Sequence, residues 1–445
     1  MHAFAQFAED WSMEPLLSHR ALEQVRVSDL SPYPANARTH SQRQLRQIAK
    51  SIKRFGFLNP ILIDDAGCII AGHGRVEAAK FLELEFVPVL RLSHLSAADK
   101  KAYIIADNRL AELAGWDKGI LALELQALVD LDFPVEEIGF EIAEVDLILS
   151  EADNANADKK AGPEDDIPSS STQAVTRMGD IWECGRHRIL CGDARSADAY
   201  QQLLTGEHAD MMFTDPPYNV AISGHVRTDD GHREFAMASG EMSKPDFEAF
   251  LEEALTPAAT TCRDGAIAFV CMDWRHMGEL LKAGGAVFSE LKNVCVWAKT
   301  NGGMGSLYRS QHELVFVFKQ GQAPHCNNVE LGKFGRNRTN VWTYAGVNVF
   351  KQGRDAELSM HPTVKPVALV EEAIKDVSRR GEIVLDPFGG SGTTLIAAER
   401  CGRRARLIEF DPLYCDVIVR RFEAYTGKQA RLAASQETFE VVSGR

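Results

Sequence analysis

The sequence predicts two α/β domains, a small one near the N-terminus and a larger one built on an open, mostly parallel sheet. The chain has 445 residues, more than one hydrophobic core ordinarily holds, so at least two domains are expected. From about Val175 onward, nearly continuous apolar runs alternate with helical patterns, which is typical of a parallel sheet covered on both faces. Between the two regions, residues 151–174 are acidic and contain prolines and serines, which predicts a flexible linker.

The N-terminal region, residues 22–117, predicts the small α/β domain. Short apolar runs such as PILI and VPVLRL accompany one helical run, SQRQLRQIAKSIKRF. A helix is expected to begin after Ser96, because Asp99 three residues later forms a weak capping box with it. Residues 118–150 predict a helical connector without a clear helix-turn-helix pattern.

The larger domain, residues 175–430, contains seven candidate strands, which are HRILCGD, ADMMFTD, GAIAFVCMD, NVCVWAK, ELVFVFK, GEIVLDPF and RARLIEFD. Acids at the ends of these strands include Asp193, Asp215, Asp386 and Glu409. Ligands of open parallel sheets bind beyond the carboxyl ends of the strands, so we expect the four acids along one rim. One such acid commonly only caps the next helix, but four at matching positions favour a ligand site.

Composition narrows the class of protein. Hydrophobic residues make up 45% and charged residues 25%, as in soluble globular proteins, and no apolar run approaches the roughly 20 residues that a membrane span needs. The net charge of −14 argues against a protein that coats nucleic acid, although a local basic groove remains compatible with it. The nine cysteines are scattered and odd in number, as expected of a protein in the reducing cytoplasm. They form no C-x-x-C pair, and His73 has no partner at ligand spacing, so we expect no metal site.

The loop that follows the strand EIVL reads DPFGGSGTT, residues 386–394. Its glycines allow a tight turn and a close approach of the backbone to a ligand. No lysine follows them, so the loop is not a phosphate-binding P-loop. The carboxylate of Asp386 would repel phosphate and suits a cationic or hydroxyl-rich ligand better.

The loop that follows the strand MMFT reads DPPYN, residues 215–219. Asp215 offers a carboxylate and Pro216 a rigid carbonyl, and together they make an acceptor pair for the two hydrogens of an amino group. Tyr218 offers a flat face on which a flipped-out base can stack. The plainer alternative is a proline-stiffened turn with a core tyrosine, which the position directly after a buried strand makes less attractive.

These motifs carry a family resemblance. TDPPY, HPTVKP over residues 361–366 and DPFGGSGTT resemble the motifs of amino-methyltransferases that act on DNA, in the order of the permuted beta class. The resemblance implies a Rossmann-like fold, S-adenosylmethionine as cofactor and double-stranded DNA as substrate, with relatives that are often homodimers. It favours adenine N6 as the methyl acceptor, because cytosine-N4 enzymes more often carry serine where Asp215 stands. Cytosine-N4 transfer is the alternative.

The resemblance also implies roles for individual residues. The residues expected to act on the target base are Asp215, Pro216, Pro217 and Tyr218. The residues expected at the cofactor are Asp193 near its adenine, Glu409 at its ribose, Thr363 and Lys365 at its methionine end, and Asp386, Phe388, Gly389, Gly390, Ser391, Gly392 and Thr393 in the loop.

A basic segment between Trp297 and Arg354 falls where this family has its target-recognition region. Basic side chains there would bind DNA phosphates, and some would read base edges. The plainer alternative is a solvated basic loop. The side chains predicted to contact DNA are Arg309, Lys333, Arg336, Arg338 and Arg354.

The N-terminal region resembles ParB/sulfiredoxin-like domains in the pieces NAR, GFLNPILID and IAGHGR, a combination similar to phage-type fusions with methyltransferases. Gly72, Gly74 and Arg75 at the start of a helix would suit a phosphate or nucleotide. Partition proteins carry Glu and Arg where this chain has His73 and Gly74. An equally good alternative to a nucleotide site is therefore a turn that presents Arg75 to DNA or to another domain. A rival hypothesis of another class is a ParB-like, nucleotide-dependent DNA clamp with an inactive methyltransferase half.

Overall fold

The computed structural model describes residues 21–131, 133–141, 144–146, 148–149, 163–168, 173–219, 240–299, 307–329, 331, 338–345 and 364–444. The chain divides into two compact units, residues 1–156 and 157–445. This division falls within the segment 151–174 that the sequence predicts as a linker. Among the described residues, no helix has both the length and the apolarity that a membrane span requires.

The first unit is a small α/β unit with a four-stranded sheet in the order β1-β4-β2-β3, where only β2 and β4 are parallel. Its strands are β1 (Glu23–Arg26), β2 (Ile61–Ile63), β3 (Ile69–Ala71) and β4 (Phe86–Arg91). Its helices are α1 (Gln42–Phe55), α2 (His73–Phe81), α3 (Ala97–Leu113) and α4 (Lys118–Asp130), with short 3-10 turns at Val27–Asp29 and Val135–Ile138.

The helix starts of this unit follow from local hydrogen bonding. The Ser41 side chain accepts from the Gln44 amide and begins α1, which confirms the helix expected over SQRQLRQIAKSIKRF. Ser96 and Asp99 form a complete capping box that begins α3, as the sequence predicts. The sheet and α2 enclose a small apolar core around Ile61, which is fully buried.

The second unit is built on a ten-stranded sheet in the order β11-β9-β10-β8-β7-β12-β13-β6-β5-β14. Its strands are β5 (Ile181–Cys184), β6 (His187–Cys191), β7 (Ala209–Thr214), β8 (Cys262–Met272), β9 (Glu290–Ala298), β10 (His312–Lys319), β11 (Val341–Thr343), β12 (Ile383–Asp386), β13 (Arg404–Glu409) and β14 (Arg431–Leu432). All seven candidate strands of the sequence are therefore confirmed.

The helices of this unit are α5 (Ala197–Leu204), α6 (Lys244–Thr261), α7 (Met277–Val287), α8 (Val367–Val377), α9 (Thr393–Arg400), α10 (Pro412–Thr426) and α11 (Phe439–Ser443). Helices α8, α9 and α10 contribute to one apolar core, and α5, α6 and α7 contribute to another. Successive residues of β7 alternate between the two cores, with Met211 and Phe213 in the first and Met212 in the second. The sheet is therefore covered on both faces, which explains the nearly continuous apolar strands.

Five adjacent strands of the sheet, β8-β7-β12-β13-β6, are mutually parallel, and at one edge the short β11 is also parallel to β9. Strand β10 runs antiparallel to both β8 and β9, and β5 runs antiparallel to β6. The apolar runs NVCVWAK and ELVFVFK thus lie in β9 and β10, which pair antiparallel to each other. Strand β10 is buried along most of its length and β9 alternates buried and half-buried residues over 294–298, so apolar composition does not report strand direction.

Part of the predicted flexible linker is a fixed structural segment. Residues 163–168 contain a 3-10 turn, and the Asp165 carboxylate accepts from the amide of Val367 at 3.0 Å, at the first turn of α8. The Arg421 guanidinium donates to the Glu164 carbonyl at 2.8 Å. Its acidic composition therefore serves helix capping and ion pairing here, which corrects the prediction of flexibility for these six residues.

Candidate active site

Four strand-end acids lie along one rim of the sheet, as the sequence predicts. The strands β7, β12, β13 and β6 are adjacent and mutually parallel, so their carboxyl ends meet at the same edge. Asp215, Asp386, Glu409 and Asp193 stand at or just beyond these ends. Although they share this position, the four acids differ in what holds them.

Asp386 is buried, with 4% of its surface exposed, and all its hydrogen bonds described here come from neutral donors. Its carboxylate accepts from the Thr214 hydroxyl at 3.0 Å, the Thr394 hydroxyl at 2.6 Å and the Phe388 amide at 3.1 Å. Burial raises the pKa of Asp386 to about 7, and these donors oppose the rise only in part. The side chain therefore joins β7, β12 and the start of α9.

Glu409 is also held by neutral donors, the amides of Gly390 and Asp411, each at 2.8 Å. Burial raises its pKa to about 7. Asp193 differs, because Arg195 forms an ion pair with it at 2.7 Å and lowers its pKa. The glycine-rich loop thus folds directly over the Glu409 carboxylate, while Asp193 lies at the next strand end.

The glycine-rich loop is shaped by close packing. Gly392 begins α9 with a φ of 82°, and a Cβ there would lie 2.8 Å from Cγ2 of Ile418. The carbonyl and hydroxyl of Ser391 accept from Arg421 at 2.9 and 3.3 Å, and Thr393 is buried beside them. Only glycine satisfies both the left-handed backbone and this approach to α10.

The loop after β7 brings a charged cluster to the same rim. The Tyr218 hydroxyl donates to Asp215 Oδ1 at 2.6 Å, and Lys365 Nζ contacts Asp215 Oδ2 at 2.5 Å. The Asp215 side chain is one-quarter exposed, whereas only 5% of Lys365 is exposed. Lys365, which the sequence predicts at the methionine end of the cofactor, contacts Asp215 in this structure.

Glu313 completes this cluster, and the sequence analysis missed it. It lies in β10, pairs with Lys299 and with Lys365 at 3.0 Å, and its Oε2 is 3.2 Å from the Tyr218 hydroxyl. The two lysines hold the pKa of Glu313 at about 2 in spite of burial. A usable signal existed, since Glu313 opens the apolar run LVFVF of a predicted buried strand, where an unpaired acid is costly.

Asn219 joins the two ends of the chain segment that follows the motif. Its side-chain oxygen accepts from the amides of Gly240 at 3.1 Å and Met242 at 3.2 Å, and its Nδ2 donates to the Met242 carbonyl at 2.8 Å. Its own φ is 52°, in the left-handed region that asparagine tolerates. The chain therefore resumes beside the DPPY loop at the point where it left.

The predicted DNA-contacting residues divide into three groups. Arg309 is exposed and follows Leu307 and Tyr308, which are 84% and 83% exposed. Arg338 is a correction: it is mostly buried, pairs with Asp376 at 2.5 Å and so fixes its segment to α8. The other predicted contacts, Lys333, Arg336 and Arg354, lie outside the described residues, as does the cofactor candidate Thr363.

In the first unit, the predicted anion site is a left-handed turn into α2. Gly72 has a φ of 100°, and a Cβ there would lie 2.9 Å from Nη2 of Arg75, whose side chain folds back over the turn. A Cβ on Gly74 would meet the His40 ring at 3.0 Å. His73 Nε2 accepts from the Tyr33 amide, and burial lowers its pKa, so it is a neutral structural acceptor here.

The chemistry of the rim fits S-adenosylmethionine. Asp386 and Glu409 are carboxyls whose pKa burial raises, and their partners described above are hydroxyls and amides. A ligand that brings positive charge and hydroxyl donors would stabilise their ionised forms. The glycine-rich loop turns tightly beside them, and its Gly390 amide donates to the Glu409 carboxylate. A phosphate ligand would meet carboxylates instead of a lysine.

Comparison with known proteins agrees with a site for S-adenosylmethionine. The sequence model described as DNA methylase matches residues 209–420, the ParB N-terminal domain matches 12–108, and the ParB-methyltransferase HTH domain matches 119–178. The last match spans the predicted connector and linker, where the sequence patterns indicated no helix-turn-helix.

Individual relatives match each half. The Type II methyltransferase M2.DpnII of Streptococcus pneumoniae is 30% identical over 237 residues, 49% of this chain and 84% of the relative. The ParB-like nuclease domain-containing protein YnaK of Escherichia coli K12 is 55% identical over 75 residues, 17% of this chain and 86% of the relative. The solved structure of the M1.HpyAVI–SAM complex aligns with a TM-score of 0.37 and 18% identity, over 53% of this chain and 98% of that one.

The sheet order, the rim acids and the permuted motifs define the class of S-adenosylmethionine-dependent methyltransferases. Within it, the chain belongs to the N6/N4 DNA methylase family and carries ParB-type domains ahead of the methylase part. The protein is therefore a DNA methyltransferase, and the rival hypothesis of a DNA clamp with an inactive methyltransferase half loses its main support.

Proposed function

We propose that this enzyme methylates the N6 amine of adenine in double-stranded DNA. The observation that carries the proposal is the carboxylate of Asp215 at the end of β7, held at both oxygens by Tyr218 and Lys365. An anionic acceptor at this position suits an aromatic amine whose lone pair is withdrawn into the ring. The serine typical of cytosine-N4 enzymes is absent from position 215.

In the proposed mechanism, Asp215 and the Pro216 carbonyl accept the two hydrogens of the flipped-out amine. These hydrogen bonds orient the nitrogen and raise its lone-pair density. Bound S-adenosylmethionine supplies an electrophilic methyl group on a positively charged sulfur. Methylation would leave a positive charge on the amine nitrogen and a neutral thioether on the donor, and Asp215 or water would accept the proton that the nitrogen loses. The Tyr218 ring offers the face on which the base stacks.

We further propose that Asp386, Glu409 and Asp193 bind the cofactor together with Phe388 and the loop Gly389–Thr393. Glu409 is suited to the ribose hydroxyls because its carboxylate already accepts from two amides and retains lone pairs. Exposed Arg309 is proposed to contact a DNA phosphate. The N-terminal domains are proposed to assist DNA engagement, with Gly72, Gly74 and Arg75 as the candidate phosphate site.

The test is incubation of the purified protein with S-adenosylmethionine and unmethylated genomic DNA, followed by digestion to nucleosides and mass spectrometry. N6-methyladenine is expected from the wild type, and Asp215→Ala is expected to reduce it by roughly 10²–10³-fold, the usual cost of losing one transition-state partner. S-adenosylmethionine binding by Asp215→Ala, measured by calorimetry, is the control for folding. Detection of N4-methylcytosine instead would overturn the choice of base.

A further inference from the structure

The cluster around Asp215 is a chain of alternating charges that runs Asp215, Lys365, Glu313, Lys299, and its two middle members are buried. Lys365 lies between the two acids, 2.5 Å from Asp215 Oδ2 and 3.0 Å from Glu313 Oε2. Lys299 contacts the other oxygen of Glu313 and lies over the Trp297 ring at 4.6 Å. The chain thus holds two anions and two cations, and its formal charge is zero.

Burial makes this balance consequential. Lys365 and Glu313 are 5% and 9% exposed, so water screens their interaction weakly. Lys365 also lies over the Tyr218 ring at 5.4 Å and the Trp297 ring at 5.9 Å, which fixes its ammonium among aromatic faces. A change of one charge in the chain therefore reaches Asp215 directly from Lys365, through one group from Glu313, or through two groups from Lys299.

We propose that Glu313 is a positioning residue that draws the Lys365 charge partly away from Asp215 and so leaves Asp215 a strong acceptor for the target amine. Without Glu313, the full charge of Lys365 would fall on Asp215 and weaken its hydrogen bonds to the amine. Lys299 limits the pull of Glu313 on Lys365, because it pairs with the other carboxylate oxygen of Glu313. The inference rests on the proposed role of Asp215 in amine binding.

Among the residues that the structure describes, other groups face Asp215, and none of them duplicates this role. Tyr218, on the same loop, donates to Oδ1, and its own pKa is raised well above the ordinary value by burial. Asp386 at the end of β12 repels Asp215, and Cys271 in β8 is a buried thiol whose pKa burial raises. Lys365 is the cation that contacts the Asp215 carboxylate, so control of Lys365 amounts to control of Asp215.

The electrostatic directions agree with this role. Burial raises the pKa of Asp215, Lys365 opposes the rise, and Glu313 adds to it. Removal of the Glu313 charge should therefore lower the pKa of Asp215, and removal of the Lys299 charge should raise it. If Glu313 and Lys299 only supported the fold, their removal would not shift the pKa of Asp215 in opposite directions.

The experiment compares Glu313→Gln, Lys299→Gln and the double variant in the full-length enzyme, by single-turnover methyl transfer from pH 5 to pH 9 at saturating S-adenosylmethionine and DNA. In Glu313→Gln the acid limb of the rate profile is expected about one pH unit lower, since one charge is lost within contact distance of Lys365. Its plateau rate is expected to fall roughly tenfold, because Asp215 becomes a weaker acceptor.

In Lys299→Gln the acid limb is expected about half a pH unit higher, because Lys299 contacts Glu313 on the side away from Lys365 and is 28% exposed. The double variant restores zero charge, and its acid limb should lie between those of Glu313→Gln and the wild type, about half a pH unit below the wild type. The double variant also keeps the test decisive where a single variant does not fold. Glu290→Gln, at an exposed pair on β9, is the control and should leave the profile unchanged.

If the wild type methylates adenine but the acid limbs of the three variants are equal or unshifted, the proposed role of Glu313 is wrong and the proposed function stands. Conversely, a wild type that forms N4-methylcytosine overturns the proposed base alone, because the shifts of the acid limb still report on Asp215. Melting temperature and S-adenosylmethionine affinity are recorded for each variant. Loss of both in Glu313→Gln, without recovery in the double variant, would assign Glu313 a structural role and contradict the proposal.

Discussion

The two sides of the rim hold equivalent strand-end acids in opposite ways. On the cofactor side, Asp386 and Glu409 accept from hydroxyls and amides, and the pKa of each is raised to about 7. On the base side, Asp215 lies within a chain of paired charges. Neutral donors leave an acid whose ionisation depends on what binds it, whereas at Asp215 the contacting Lys365 charge opposes the rise in pKa that burial causes and so favours the ionised form. A ligand site tolerates the first arrangement, and a site that must hold a neutral amine needs the second.

Loss of the Lys365 charge, which lies between Asp215 and Glu313, should have the largest effect on stability and on the methylation rate. Lys365→Met leaves Asp215 and Glu313 without the charge between them, so the expected cost is about 3–5 kcal/mol of unfolding free energy together with a rate loss of at least roughly 100-fold. Chemical denaturation and single-turnover rates measure the two effects. Lys375→Met is the matched control, because Lys375 forms a comparably buried pair with Glu371 in α8. It should lose stability but keep the rate per folded molecule.

The shape of the cofactor side should be sensitive to one methyl group. Gly392→Ala places a Cβ 2.8 Å from Ile418 at a positive φ, and the expected loss is about 3 kcal/mol with weaker S-adenosylmethionine binding. Gly427→Ala isolates the backbone part, since its φ is 69° and a Cβ there meets nothing within 4 Å. A loss of about 1 kcal/mol is expected for that control. Equal losses in the two variants would contradict the steric argument.

The neutral donors of Asp386 give a smaller, pH-dependent effect. Thr394→Val removes the 2.6 Å hydrogen bond, at an expected cost of about 2 kcal/mol when the carboxyl is ionised. The bond favours the ionised form, so the loss should be larger at pH 8 than at pH 6, on either side of the pKa of about 7. Denaturation at the two pH values measures it, and Thr394→Ser, which keeps the hydroxyl, should behave nearly as wild type.

The smallest effect is expected at Glu409 and appears in cofactor affinity. Glu409→Gln should weaken S-adenosylmethionine binding about tenfold at pH 8, because a neutral amide is a poorer acceptor than a carboxylate. In the wild type, affinity should fall as pH drops below the Glu409 pKa of about 7, and the variant should show a flatter profile.

The apo protein should show the opposite trend in stability. Because the folded pKa of Glu409 lies above its ordinary value, its contribution to stability is present at low pH and is lost as pH rises through about 7. Calorimetry across pH 5–9 tests both trends, and parallel trends in affinity and stability would contradict the assignment.

Much of this rim was predictable because its motifs are local. Asp386 and the glycines are consecutive in sequence, and strand-end acids of parallel strands must meet at one edge. Partners that arrive from distant segments were not predictable. The contact of Lys365 with Asp215 spans 150 positions, and Glu313 reaches the site through antiparallel β10, whose direction its apolar sequence does not report. Arg338 was misjudged because composition cannot distinguish a basic side chain that meets DNA from one paired with a helix.

The carboxamide of Asn219 has a consequence for how this enzyme can be altered. Since it ties the chain at Gly240 and Met242 to the end of the DPPY loop, insertions or deletions between positions 219 and 240 begin and end at the same fixed points. Doubling the length of a chain segment with fixed ends costs only about 0.6 kcal/mol, so segments of other lengths should be accepted there without displacing Asp215. Sequence diversity could accumulate there at little cost to the rim, which makes it a natural place to exchange segments between related enzymes.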